Sequence, residues 1–166
     1  MLSIRRARDQ VRRDDMGNIQ TALETYYTDN GSFPLSSPDG RIIICKGPDG
    51  SLVACDWGQK WVSPVLGADK VYVDKTYMND IPGDPHLSLG TTYLYFSDGQ
   101  RYQIFGALEG KDEAGYDTRL VARGIKCGNE ICNMGRSNNV PLYMTIEEYN
   151  LQIYCELHPK DAKCIK

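Results

Sequence analysis

Apolar residues recur at helical spacing from the start of the chain, at Ile4, Ala7, Val11, Ile19, Ala22, Leu23 and Tyr26. No proline interrupts the run and Ser3 is a candidate N-cap, so the pattern predicts one helix over Ser3–Tyr27. Its two halves differ in kind. The first turns are crowded with Arg5, Arg6, Arg8, Arg12 and Arg13, and Asp9, Asp14 and Asp15 are spaced for i,i+3 and i,i+4 pairing. They carry too few apolar positions to enter a core. From Met16 to Tyr27 the stripe is amphipathic enough to pack on a sheet. The pattern therefore predicts a helix that projects unburied from its own domain and ends inside it. Asp29-Asn30-Gly31 stops the helix, because Asn and Gly adopt the left-handed conformation of a C-cap, and Pro34 prevents any continuation.

Beyond Pro34 the period changes. The stretch from Leu35 to Pro85 is rich in turns, with two short strands, Arg41–Cys45 and Ser51–Cys55, around Gly47-Pro48-Asp49-Gly50. A tight turn there sets Lys46 opposite Ser51 and leaves Cys45 and Cys55 out of register, so a bridge between them requires a looser loop. The clearest strand pair is Thr91–Phe96 with Arg101–Phe105, flanking Asp98-Gly99 as a two-residue hairpin turn. That turn pairs Tyr95 with Tyr102 and Tyr93 with Ile104, four residues on one face, with Arg101 and Gln103 on the other. The result is a sheet with one side available to a helix. A further strand is predicted over Thr118–Lys126. In the tail, Tyr149, Leu151 and Ile153 alternate like a strand, but Thr145 and Glu148 form a capping box, and a short helix is the expectation.

Composition narrows the class. A chain of 166 residues with 41% hydrophobic and 25% charged residues is one globular domain rather than a disordered segment. The net charge of -3 argues against a nucleic-acid binder that works by bulk electrostatics, and no specific nucleic acid is expected as a partner. No stretch is long and apolar enough to span a bilayer, and Met1 to Arg13 lacks the apolar centre of a secretory signal. Eleven Tyr against three Phe suits strands that are half wet and half buried. The first thirteen residues carry a surplus of four positive charges. That surplus reads either as a solvated helix face or as a contact with acidic groups on a neighbouring subunit or with lipid headgroups.

Six cysteines fall in three local couples, Cys45/Cys55, Cys127/Cys132 and Cys155/Cys164, which predicts disulfides and an oxidising compartment outside the cytoplasm. Zinc ligation and free thiols are the alternatives, but the gaps exceed usual zinc spacings, and His86 and His158 stand at no ligand spacing. No catalytic arrangement is present, and no enzyme is expected. Both histidines adjoin a proline, and there is neither a nucleophile elbow nor a phosphate-cradling glycine loop. Asp112, Glu113 and Asp117 are weak calcium candidates without the spacing of a defined calcium loop, and no other cofactor is expected.

Three segments then fall in a telling order. The helix ends in Tyr27-Thr28-Asp29-Asn30-Gly31-Ser32-Phe33-Pro34, after Ile19-Gln20-Thr21-Ala22-Leu23-Glu24-Thr25-Tyr26. Next comes Tyr77-Met78-Asn79-Asp80-Ile81-Pro82-Gly83-Asp84-Pro85, and the hairpin closes in Tyr102-Gln103-Ile104-Phe105-Gly106-Ala107-Leu108-Glu109. Over residues 10–110 this order resembles the type IV pilins and the type II secretion pseudopilins, while residues 111–166 find no counterpart.

The resemblance implies a single α+β, pilin-like domain, with a long N-terminal helix packed on an antiparallel sheet and a disulfide-bonded C-terminal region. Its segments are a helix over 1–27, a connecting loop region over 28–90, a sheet over 91–126 and the tail over 127–166. Family members carry a short basic leader and an apolar first half of the helix, which this chain lacks. The resemblance thus implies a segment ahead of Met1 that holds the subunit in the inner membrane before assembly and packs in the filament core. It also implies other pilin subunits as partners, in a homo-oligomeric or mixed extracellular filament on the cell surface serving adhesion, motility or DNA uptake. Arg5, Arg6, Arg12 and Arg13 become candidates for filament contacts, and the calcium candidates gain weight from the pseudopilins. A secretion pseudopilin is the alternative within the family. A secreted, disulfide-bonded adhesin or ligand-binding module using Tyr143 and Tyr149 is the alternative outside it.

Overall fold

The computed structural model describes residues 2–164. Helix α1 spans Leu2–Asn30, longer at both ends than its apolar spacing predicts, so Ser3 lies inside the helix rather than capping it. Gly31 ends it in the left-handed region (φ 75°) and donates its N–H to the Tyr27 carbonyl at 2.7 Å. Phe33 then folds back, stacked on Tyr27 and edge-on to Tyr102, and its N–H reaches the Gly99 carbonyl at 2.8 Å. The helix stop is thereby pinned to the loop of the central hairpin.

Two hairpins come next, β1 (Ile43–Lys46) with β2 (Leu52–Ala54), then β3 (Trp61–Leu66) with β4 (Tyr72–Met78). In the first, Lys46 pairs with Leu52, one residue looser than the tight turn, and a bulge separates Ile43 from Cys45. These two adjustments bring the Cys45 and Cys55 Cα atoms to 5.2 Å and close the bridge. The second hairpin was not expected, although Tyr72-Val73-Asp74-Lys75-Thr76-Tyr77 carries strand-forming residues; Pro64 in β3 obscured the signal. Its root is buried: Trp61 packs its ring against Tyr26 and Tyr77, centroids 5.5 and 5.4 Å away.

The central sheet is β5 (Leu94–Ser97) beside β6 (Tyr102–Gly106). The chain then makes a short helix α2 (Thr118–Ala122), a small ribbon of β7 (Lys126–Cys127) and β8 (Glu130–Ile131), and β9 (Met134–Ser137). Sheet order is β5-β6-β9, antiparallel throughout. Three sequence expectations are corrected here. Tyr95 pairs with Ile104 and Ser97 with Tyr102, because the Asp98 carboxylate accepts the N–H groups of both Gln100 and Arg101 and holds a four-residue loop. The slip is two residues, so the faces survive: Tyr93, Tyr95, Tyr102 and Ile104 all sit in the core with Met16, Ile19 and Leu23 of α1. Residues 118–125 hold no strand; Asp117 accepts the Arg119 N–H and caps α2 there, and only Lys126 is extended, as the start of β7. The third strand of the sheet comes instead from β9, inside the region expected to be only a disulfide-bonded tail.

Both faces of this sheet are covered. Gly106 lets α1 approach closely, since a Cβ there would stand 2.5 Å from the Met16 methyl carbon. On the far side, Leu94, Phe105, Ala107 and Leu120 form a second core around the Cys127–Cys132 bridge. The tail closes with α3 (Ile146–Leu157), which begins in the expected capping box between Thr145 and Glu148. The Cys155–Cys164 bridge staples the last turn of α3 to the C-terminal turns of the chain. The chain is thus α+β with three disulfides, which fits folding in an oxidising compartment. Among the described residues no helix is long and apolar enough to cross a membrane.

Candidate functional site: an ionic seat for the helix

The first turns of α1 do not project. They are held down by charge, and Arg12 is the pivot. Its side chain is 1% exposed, yet its guanidinium is matched on every side. Nε and Nη2 donate to the two oxygens of Asp84 at 2.8 and 3.1 Å, and Nη1 donates to Asp9 at 2.7 Å and to Glu109 at 2.8 Å. Two-point pairing of this kind uses the planar fork of arginine, which lysine cannot supply.

The carboxylates are satisfied as well. Asp9 also accepts the N–H groups of Glu109 and Gly110 (2.9 and 3.1 Å), and Asp84 that of His86 (2.7 Å). Glu109 takes Arg8 Nε at 2.6 Å and Arg8 Nη2 on its other oxygen. Each oxygen of Asp9, Asp84 and Glu109 thus accepts at least one hydrogen bond, the condition under which a buried ionic cluster is tolerated. The hydrogen bond from Arg8 is the main force holding the Glu109 carboxyl down, from 4.5 to about 2; burial opposes it and Arg12 adds to it. Burial pushes Arg12 down, but the bonds to Asp84 and Glu109 outweigh it, and the group stays above its ordinary value.

An outer ring surrounds this cluster. Arg5 meets Asp112 at 2.8 Å, Arg13 meets Glu113 at 3.2 Å, and Arg6 lies 3.6 Å from each acid. Further along α1, acids receive tyrosine hydroxyls from the sheet side: Tyr93 donates to Asp15 (2.8 Å), Tyr102 to Glu24 (3.0 Å) and Tyr77 to Asp29 (2.7 Å). Here lies the reason for tyrosine over phenylalanine. Each ring fills the core while its hydroxyl ties a carboxylate of the helix.

The structure places each residue singled out from the sequence. Arg5, Arg6, Arg12 and Arg13, expected as contacts to a neighbouring subunit, find acids far along their own chain, from Asp84 to Glu113, and Arg12 is buried. Only Arg6 among them keeps most of its side chain exposed, at 63%. Asp112 and Glu113 face these arginines, while Asp117 caps α2 and pairs with Arg119 at 3.0 Å, so the three calcium candidates do not converge. Among the described residues no group of three or more His, Cys, Asp or Glu is arranged to hold a metal. All six cysteines are bridged in their local couples.

Arg8, Asp9, Asp84 and Glu109 were missed as a cluster. Asp84 and Glu109 stood inside segments read for their turns, and nothing local marks either as the partner of an arginine in α1. His86 adjoins the cluster, its Nδ1 3.8 Å from Glu109, and both line a polar cleft of about 460 Å³ together with Arg12. His158 lies at the end of α3, its ring 4.6 Å from Tyr154. No protein-family model, curated protein or solved structure matches this chain.

Proposed function

We propose that this chain is the globular part of a structural subunit in a type IV pilus-like extracellular filament. One observation carries the reading: a 29-residue helix lies along an antiparallel sheet, and its Asp29-to-Pro34 stop is seated on the hairpin loop by Phe33. In this reading an apolar segment N-terminal to α1 packs with its counterparts in the filament core and anchors the subunit in the inner membrane before assembly. The sheet and the bridged tail form the coat. Load passing along the filament reaches the domain through α1, where the Arg12 fork ties the helix to Asp84 and Glu109. With the arginines engaged internally, the neighbouring subunit meets the exposed apolar face of the first turns, Ile4 (61% exposed) and Val11 (45%).

The test is immunogold electron microscopy of the surface fraction sheared from the producing cells, with antibody raised against this domain. Filaments labelled along their length are expected, and Ile4→Asp with Val11→Asp should reduce their yield without lowering the Tm of the domain. Recovery of the protein only as dispersed monomer would contradict the proposal. Labelling confined to the cell envelope would contradict the surface pilus and point to the pseudopilin alternative.

A further inference from the structure

On the face of the β5–β6 hairpin away from α1, beneath the start of α3, lies a cavity of about 340 Å³, within the range of about 300–1,000 Å³ usual for small-ligand pockets. Phe96, Ile125 and Ile146 give it apolar walls, and Arg123 is its cation. Arg123 is half-buried, with its guanidinium over the Phe105 ring at 5.3 Å. Among the described residues its side chain makes one hydrogen bond, to the Leu142 carbonyl, and no carboxylate lies within 4.0 Å of it. Burial pushes the group below its ordinary value, and Glu148 opposes this only in part.

Two acids also line the cavity, and neither serves as its counter-ion. Asp98 is engaged by the N–H groups of Gln100 and Arg101 and by the side chain of Asn150. Glu147 is exposed at the first turn of α3. Arg123 is thus a cation without a paired carboxylate, set beside apolar walls.

We propose that this cavity binds a small organic carboxylate with an apolar body, the carboxylate on Arg123 and the body against Phe96, Ile125 and Ile146. The planar guanidinium takes a carboxylate at two points, and partial burial strengthens the pairing over its value in water. The site is independent of the ionic seat of α1 and of any filament.

Phenylacetate is the probe, titrated into the full, disulfide-intact chain with isoleucine methyls labelled for NMR. Saturable shifts at Ile125 and Ile146 are expected at millimolar or lower concentration. Phenylacetamide, the same shape without the charge, should bind about tenfold more weakly, the scale of one charge-assisted pair. Arg123→Gln should weaken phenylacetate by a similar factor. Because that variant also alters the contact with Leu142, the acid–amide comparison on the unaltered chain stands as the independent measurement. Equal binding of acid and amide, or no saturable shift at these two methyls, overturns the proposal.

Discussion

The two halves of α1 are buried on the same domain by opposite chemistry. From Met16 onward the helix is held by Met16, Ile19, Ala22 and Leu23, each at most 5% exposed and packed on the tyrosines of the sheet. Before it, the equally buried positions are Asp9 and Arg12. An apolar seat is non-directional: shortening one side chain leaves a cavity whose cost depends on how far the neighbours relax. An ionic seat is directional. It fixes the axial register of the helix against the segments carrying Asp84 and Glu109, and it fails abruptly when one member is lost, because the remaining charges stay buried without a partner.

Substitutions that separate the two seats follow from this contrast. Arg12→Met keeps the bulk and removes the pivot, leaving Asp84 with one backbone donor and Asp9 with two; it should lower stability by about 3–5 kcal/mol in urea unfolding. Leu23→Ala, on the apolar side, should cost about 3 kcal/mol, the usual scale for a buried leucine. If Arg12→Met were nearly neutral, the ionic seat would be ornament and the comparison would break. Arg6→Ala removes an exposed pairing with Asp112 and Glu113 and should change stability by less than about 1 kcal/mol, diminishing further in high salt. That small value would confirm that burial, not the count of ion pairs, gives the seat its strength.

Local chemistry was legible and long-range pairing was not. The helix stop at Gly31, the shared face of Tyr93, Tyr95, Tyr102 and Ile104, the capping box of α3 and the three cysteine couples each rest on residues near one another in the chain. The fate of the arginines rests on acids at positions 84, 109, 112 and 113, for which no periodicity gives a sign. A polar helix turn therefore looked like a projecting one. The segment 118–126 misled for a related reason: its apolar residues fit a strand, but the Asp117 cap and the demand of Leu120 for the second core made Thr118–Ala122 a helical turn. The hairpin register turned on one side chain, Asp98, whose two backbone acceptances outweighed the two-residue turn suggested by Asp-Gly.

Acid separates the halves most directly. The Glu109 carboxyl sits at about 2 in the folded chain against an ordinary 4.5, held there chiefly by Arg8. Its contribution is therefore fully present above pH 4.5 and is lost as the pH falls from 4.5 toward 2. Asp15, at the boundary, acts in the opposite sense: burial raises its pKa, so protonation there favours the folded state as the pH falls. Amide hydrogen exchange, corrected for intrinsic rates and tracked across this window, should show residues 5–13 protected at neutral pH and losing protection first, while residues 16–26 stay closed. Residues 5–13 open at neutral pH, or both halves opening together in acid, would contradict the ionic seat.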